Sequence, residues 1–280
     1  MKTWIGKTIG TYFNALSVVA PAYAARKGFE FFCYPRREKL LPHHFRFFQS
    51  GKTIEFPLGD EIIRAYQWGH GPIKVLFLHG WQSHSFRWKK YIEAYPAEQY
   101  TLYSIDAPGH GLSTGNFLTV PYYSEAVVAF LERIGKIDHV VSHSIGSFTA
   151  AYTFYHRRDL SPARLVLLAP PGAVNEFFEF YKNVLGLTDN TSKHIEQHFK
   201  KVIGNPPAYY AVHRFTSAFS FPGLIIHDRE DPDTHFSNAE KIHTSWSNSK
   251  LLLTQGFGHN LKSDDVLREV MEFTGVQKKL

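Results

Sequence analysis

Residues 142–146 read Ser-His-Ser-Ile-Gly, where the apolar run at 139–143 gives way to a helical pattern. Ser144 can serve as a nucleophile there only on a tight, strained turn that exposes its hydroxyl, with small residues two before and two after. The usual spacing is Gly-x-Ser-x-Gly; Ser142 stands in the place of the first glycine and Gly146 keeps the second. A serine hydroxyl is a poor nucleophile without a positioned base. His259, just beyond the run at 250–256, is the candidate. The imidazole in turn needs a carboxylate to fix its tautomer. The run at 223–228 leads into Asp-Arg-Glu-Asp-Pro-Asp, where Asp231 competes with Asp228, Glu230 and Asp233.

A tetrahedral intermediate would need two backbone N–H donors, each lowering the barrier by roughly 3 kcal/mol. The residue after the nucleophile, Ile145, offers one at a helix N-terminus. The loop Phe-Leu-His-Gly-Trp at 77–81 offers the other, the amide of Trp81. The acidic loop lacks the Asp-x-Asp-x-Asp-Gly spacing of a calcium loop, so no metal site is expected. Nothing in this chemistry implies a cofactor.

These residues need a frame that delivers several strand ends to one place. Near-continuous apolar runs recur at 73–80, 100–107, 139–143, 164–170, 223–228 and 250–256. Such runs mark strands buried on both faces. Helical patterns, as at 122–135 and 263–275, separate most of them. The alternation predicts an α/β fold, a mostly parallel sheet with helices on both faces. Alternating segments at 53–58 and 61–68 predict a hairpin ahead of it. In this architecture ligands sit beyond the carboxyl ends of the strands, which is where the candidate residues fall.

The resemblance carried by His79-Gly80-Trp81, Asp-Ala-Pro-Gly-His-Gly-Leu-Ser-Thr at 106–114, Ser-His-Ser-Ile-Gly, His-Asp-Arg-Glu-Asp-Pro at 227–232 and Gly258-His259-Asn260 is to the α/β-hydrolase superfamily. It covers about residues 55–275. It implies the α/β-hydrolase fold, a structural role for Asp106 and His110, and Asp231 as the acid, with Asp228 in the place of a glycine. Relatives that use an aspartate nucleophile, the epoxide hydrolases and haloalkane dehalogenases, are set aside by Ser144. The expected activity is attack on a carbonyl by a serine hydrolase, with a small-molecule ester of small or medium acyl chain as substrate. The alternatives are a thioesterase or C–C bond hydrolase with the same residues, or a non-catalytic binding protein that keeps the fold.

About fifty residues between the runs at 164–170 and 223–228 predict an inserted helical cap at about 172–219. Its Phe177, Phe178, Phe180, Tyr181, Leu185, Leu187, Phe199, Tyr209 and Tyr210 would line an acyl pocket or simply pack the helices. The remaining division is an N-terminal basic, amphipathic segment at 1–50 and the main domain at 51–280. Residues 1–50 hold eight Lys/Arg against Glu30 and Glu38, which equals the whole net charge of +6. The basic balance therefore gives no support to nucleic-acid binding.

In the first helix Ile5, Ile9, Tyr12, Leu16 and Val19 share one face, and Pro21 ends it, kinks it or starts a second helix. Three readings fit residues 1–25: docking on the main domain, peripheral membrane contact through residues 1–20, or a cleaved signal with Ala22-Tyr23-Ala24 as its site. A single cysteine, Cys33, leaves no intrachain disulfide and fits a cytoplasmic protein.

Overall fold

The computed structural model describes residues 3–276. In chain order the helices are α1 (Thr3–Val19), α2 (Pro21–Phe32), α3 (Pro42–Gln49), α4 (Lys89–Ala94), α5 (Val120–Ile134), α6 (Ile145–His156), α7 (Val174–Leu185), α8 (Asp189–Ile203), α9 (Val212–Thr216), α10 (Ser237–Ser245) and α11 (Asp264–Phe273). The strands are β1 (Lys52–Leu58), β2 (Glu61–Gly69), β3 (Ile73–Leu78), β4 (Tyr100–Asp106), β5 (His139–His143), β6 (Arg164–Leu168), β7 (Gly223–Asp228) and β8 (Ser249–Thr254). The strands form one sheet in the order β1-β2-β4-β3-β5-β6-β7-β8. β2 runs antiparallel to β1 and β4, and every other pairing is parallel. This is the mostly parallel sheet that the apolar runs predict, and the α/β-hydrolase fold that the resemblance implies.

The central strands are apolar throughout because both faces are covered. Val75, Leu76, Phe77 and Leu78 are all buried. Alternate residues of these strands, among them Phe77, Val141, Val166 and Ile226, share one core with Trp88 and Tyr91. Phe77 lies 5.1 Å from the Trp88 ring. Burying a side chain of that size stabilises the fold by roughly 1.5–3 kcal/mol.

The chain divides into two compact units: residues up to Tyr34 together with Gly172–Ala211, and Pro35–Pro171 together with Val212–Leu280. The boundary expected at residue 50 is therefore misplaced. α3 belongs with the sheet, because Phe47 stacks on Trp68 at 4.9 Å and Phe48 on Tyr66 at 4.8 Å. The end of the insertion also moves, since α9 packs with α6 and α10 of the sheet unit.

The smaller unit joins α1 and α2 to α7 and α8. Phe32 stacks on Phe178 at 4.4 Å, Phe29 meets Phe199 at 5.8 Å, and the Tyr181 hydroxyl donates to the Gly28 carbonyl at 2.8 Å. The Asn14 amide donates to the Gly186 carbonyl and its oxygen accepts from the Thr188 amide, both at 2.9 Å. Phe178, Leu185, Leu187, Phe199 and Tyr210 are buried, whereas Phe180 is exposed. The bulky residues expected to line an acyl pocket are thus mostly used in packing these helices together, because paired amphipathic helices need an apolar seam of their own.

α1 is buried along a different line from the face shared by Ile5, Ile9, Tyr12, Leu16 and Val19. Gly6, Gly10, Phe13 and Ser17 are its buried positions, while Tyr12 and Val19 are exposed. Close approach decides this: a Cβ at Gly10 would lie within 1.7 Å of the Leu185 carbonyl oxygen. Amphipathic patterning finds the large side chains, but a helix that packs backbone to backbone buries its small ones. Among the described residues no helix is long and apolar enough to cross a membrane.

Candidate active site

Parallel pairing brings the carboxyl ends of β3, β5, β7 and β8 to one edge of the sheet, and four loops of the larger unit leave from there. Ser144 sits between β5 and α6 with φ 54° and ψ −123°, a left-handed conformation costly for a residue with a Cβ. Its amide donates to the Leu168 carbonyl at 2.9 Å, which ties the bend to the neighbouring strand. Gly146 is required by proximity, since a Cβ there would lie 2.4 Å from the Leu78 oxygen and 2.6 Å from that of His79. Ser142, in the position where glycine is usual, is buried and its hydroxyl donates to the Val166 carbonyl at 2.8 Å. The turn therefore accommodates a serine whose polar group finds a partner within the sheet.

The structure brings Ser144, His259 and Asp231 together. His259 Nε2 lies 3.0 Å from Ser144 Oγ, and His259 Nδ1 lies 2.8 Å from Asp231 Oδ2. A ring nitrogen held against a carboxylate carries the proton, which leaves Nε2 to accept from the serine hydroxyl.

Asp231 has no exposed side chain. Its Oδ1 accepts from the amides of Asp233 and Thr234 at 2.8 and 3.0 Å. Its Oδ2 accepts from the Thr234 hydroxyl at 3.0 Å and from His227 Nε2 at 3.1 Å as well as from His259. Burial opposes the charge, but the hydrogen bonds from His227, His259 and the Thr234 backbone outweigh it and hold the carboxyl well below the usual range. Asp231, Asp233 and His259 do offer ligand atoms within 4.8 Å of one another. Five donors already converge on the Asp231 oxygens, so a cation there would have to displace the bond that orients His259.

The competing acids are placed elsewhere. Asp228 accepts from the Thr254 hydroxyl at 2.8 Å and the Phe257 amide at 3.0 Å, and so joins the ends of β7 and β8. Glu230 accepts from the Gln255 side-chain amide at 2.9 Å, and Asp233 is exposed.

Ile145 opens α6, and Trp81 follows β3 in the loop beside the bend. Among the described residues neither backbone amide donates to a protein acceptor. Two buried histidines hold the Trp81 loop. His79 Nε2 accepts from the Ala107 amide at 2.9 Å while Nδ1 donates to the Gly80 carbonyl at 2.7 Å. His110 Nε2 accepts from the Gln82 amide at 3.1 Å while Nδ1 donates to the Pro108 carbonyl at 2.9 Å. Burial pushes the His110 imidazole down to about 4 and His79 well below its ordinary value, so both stay neutral acceptors at pH 7. Asp106 completes the scaffold, accepting from the Ser85 and Leu112 amides and the Tyr66 hydroxyl at 2.8, 2.9 and 3.1 Å.

Two residues of this site escape motif reading. His143 Nε2 donates to the His259 carbonyl at 2.8 Å. Arg87 donates to both the carbonyl and the side-chain oxygen of Asn260, at 2.6 and 3.2 Å. His143 adjoins Ser144 and was open to notice; Arg87 is 173 residues from its partner and gives no local signal.

The alpha/beta hydrolase family model matches residues 75–251. A dihydrolipoyllysine-residue acetyltransferase component of an acetoin cleaving system from Cupriavidus necator is 33% identical over 92 residues, 32% of this chain and 24% of that protein. The chain thus spans less than a quarter of the length of that relative. The human serine hydrolase-like protein is 27% identical over 152 residues, 49% of this chain and 73% of that protein. Among solved structures, a membrane phospholipase A described as a bacterial virulence factor superposes with a TM-score of 0.62 at 14% identity, over 98% of each chain. At that identity the likeness is one of fold.

Proposed function

The chain belongs to the alpha/beta hydrolase family, and we propose that within it this protein is a serine hydrolase that cleaves a carboxylic ester through an acyl-enzyme. The observation that carries the reading is the 3.0 Å approach of His259 Nε2 to Ser144 Oγ, with Nδ1 of the same ring on Asp231.

His259 takes the Ser144 proton as Oγ attacks the acyl carbon. The tetrahedral oxyanion sits against the amides of Ile145 and Trp81. Asp231 keeps Nδ1 protonated and stabilises the imidazolium without taking its proton. His259 then gives its proton to the departing alkoxide. A water repeats the sequence on the acyl-enzyme, releases the acid and restores Ser144. The strained Ser144 backbone supports this reading, because a bend of that kind points the side chain away from the sheet.

A fluorophosphonate probe tests the proposal. The expected result is one label on Ser144 that the Ser144→Ala variant lacks. A folded chain that takes no label would be a binding protein on the same scaffold. A panel of esters and thioesters of graded acyl length then assigns the substrate: turnover greatest on small and medium esters is expected, and a preference for thioesters would move the assignment to a thioesterase.

A further inference from the structure

The outer side of α1 is uncovered. Docking uses the small residues of this helix, as the close approach of Gly10 to Leu185 requires. Of its large apolar side chains Phe13 is buried with them, but Trp4, Tyr12, Val18 and Val19 point the other way and are 66, 56, 80 and 80% exposed. Steps of three and four residues place them on one side together with Thr8 and Thr11. A helix that served only as a brace would be polar on that side.

We infer that this face of α1 is a peripheral binding surface for an anionic membrane, with the helix lying along the headgroup boundary. Charge is the first reason for a lipid occupant. No acidic residue precedes Glu30, whereas Lys2, Lys7, Arg26 and Lys27 do. Glu30 pairs with Lys27 at 2.6 Å and Arg26 at 3.7 Å, and Lys7 has no ion pair among the described residues. Lysines beside an apolar helix face are drawn to anionic headgroups.

The second reason is the state of the polar groups on this face. The Thr8 hydroxyl donates to the Trp4 carbonyl and the Thr11 hydroxyl to the Lys7 carbonyl, both at 2.9 Å. Their donors are satisfied inside the helix, so contact with lipid strands none of them. The third is side-chain type. Tryptophan and tyrosine beside aliphatic residues suit a boundary that is wet on one side and apolar on the other. With Lys7, Thr8, Thr11 and Asn14 among its 17 residues the helix is not long and apolar enough to cross a bilayer, so it lies on the surface.

Co-sedimentation of the full chain tests this, with vesicles of phosphatidylglycerol and phosphatidylcholine in equal parts compared with phosphatidylcholine alone. The chain is expected to pellet with the anionic vesicles and to stay largely in solution with the neutral ones. Val18→Asp combined with Val19→Asp should lower the anionic binding about tenfold or more. Val202→Asp, at an apolar position 52% exposed on α8, should leave it unchanged. Absence of binding to anionic vesicles overturns the inference, as does equal binding to both compositions or undiminished binding by the double variant. A dimer in sedimentation velocity that the double variant dissociates, without vesicle binding, would make a second copy the occupant. Fluorophosphonate labelling without vesicles, expected unchanged in the double variant, reads the hydrolase proposal separately.

Discussion

The imidazole of His143 holds the backbone of His259, with Nε2 2.8 Å from the His259 carbonyl oxygen. Burial, then the nearby Arg87 charge and His259, push His143 well below its ordinary pKa, so it stays neutral and donates from Nε2. One side of the Ser144 bend therefore fixes the main chain that carries the proposed base. His143→Phe should keep the fold and lower kcat by roughly tenfold to a hundredfold with KM little changed, because small misplacements of reacting groups are costly. His143→Gln, which retains a donor, should recover part of the loss. Equal kcat in both variants and wild type would remove this positioning role.

Arg87 acts on the next residue. It is half-buried, burial pushes its guanidinium down to about 10, and it remains cationic on the Asn260 oxygens. Arg87→Lys offers a single point donor in place of a planar fork. Slower fluorophosphonate labelling by about tenfold is expected, with an unchanged circular dichroism spectrum. A labelling rate equal to wild type would show that Asn260 needs no such tether.

Removing the proposed nucleophile should be far more severe. Ser144→Ala is expected to lose about 10⁴–10⁶-fold in ester turnover, and Asp231→Asn about 10⁴-fold through the wrong His259 tautomer. A Ser144→Ala residual above a tenth of wild type would place the nucleophile elsewhere.

The two small residues of the bend should differ in what their replacement does to activity. Ser142→Gly removes the bond to Val166 and adds backbone freedom, so it should cost about 1 kcal/mol in stability while activity persists. Gly146→Ala drives a Cβ onto the Leu78 and His79 oxygens. It should lose about 1–3 kcal/mol in chemical denaturation together with most labelling.

Acid stability should follow Asp231. Its folded pKa is depressed, so the carboxylate contributes stability at all pH above the unfolded value near 4 and that contribution fades as pH falls toward the folded one. Urea midpoints should drop on acidification below about pH 4, and Asp231→Asn should flatten that drop. An unchanged slope in the variant would assign acid sensitivity to other carboxylates.

The sheet was legible because strands covered on both faces must be apolar along their length, as Val75–Leu78 are. The approach of Ser144 to His259 could be anticipated because the bend has its own local spelling and parallel strand ends converge. Which acid of 228–233 approaches His259 was open from the residues alone; the resemblance implied Asp231, and its Oδ2 lies 2.8 Å from His259 Nδ1. The docking face of α1 and the reach of Arg87 to Asn260 were illegible for a common reason. Each depends on a neighbour far away in sequence, and patterning reports only what a single element would do alone.

The smaller unit is built from two stretches of chain with β1–β6 between them. On the ribosome α1 and α2 therefore emerge before α7 and α8, so the contacts of Phe29 with Phe199 and of Phe32 with Phe178 wait for those later helices.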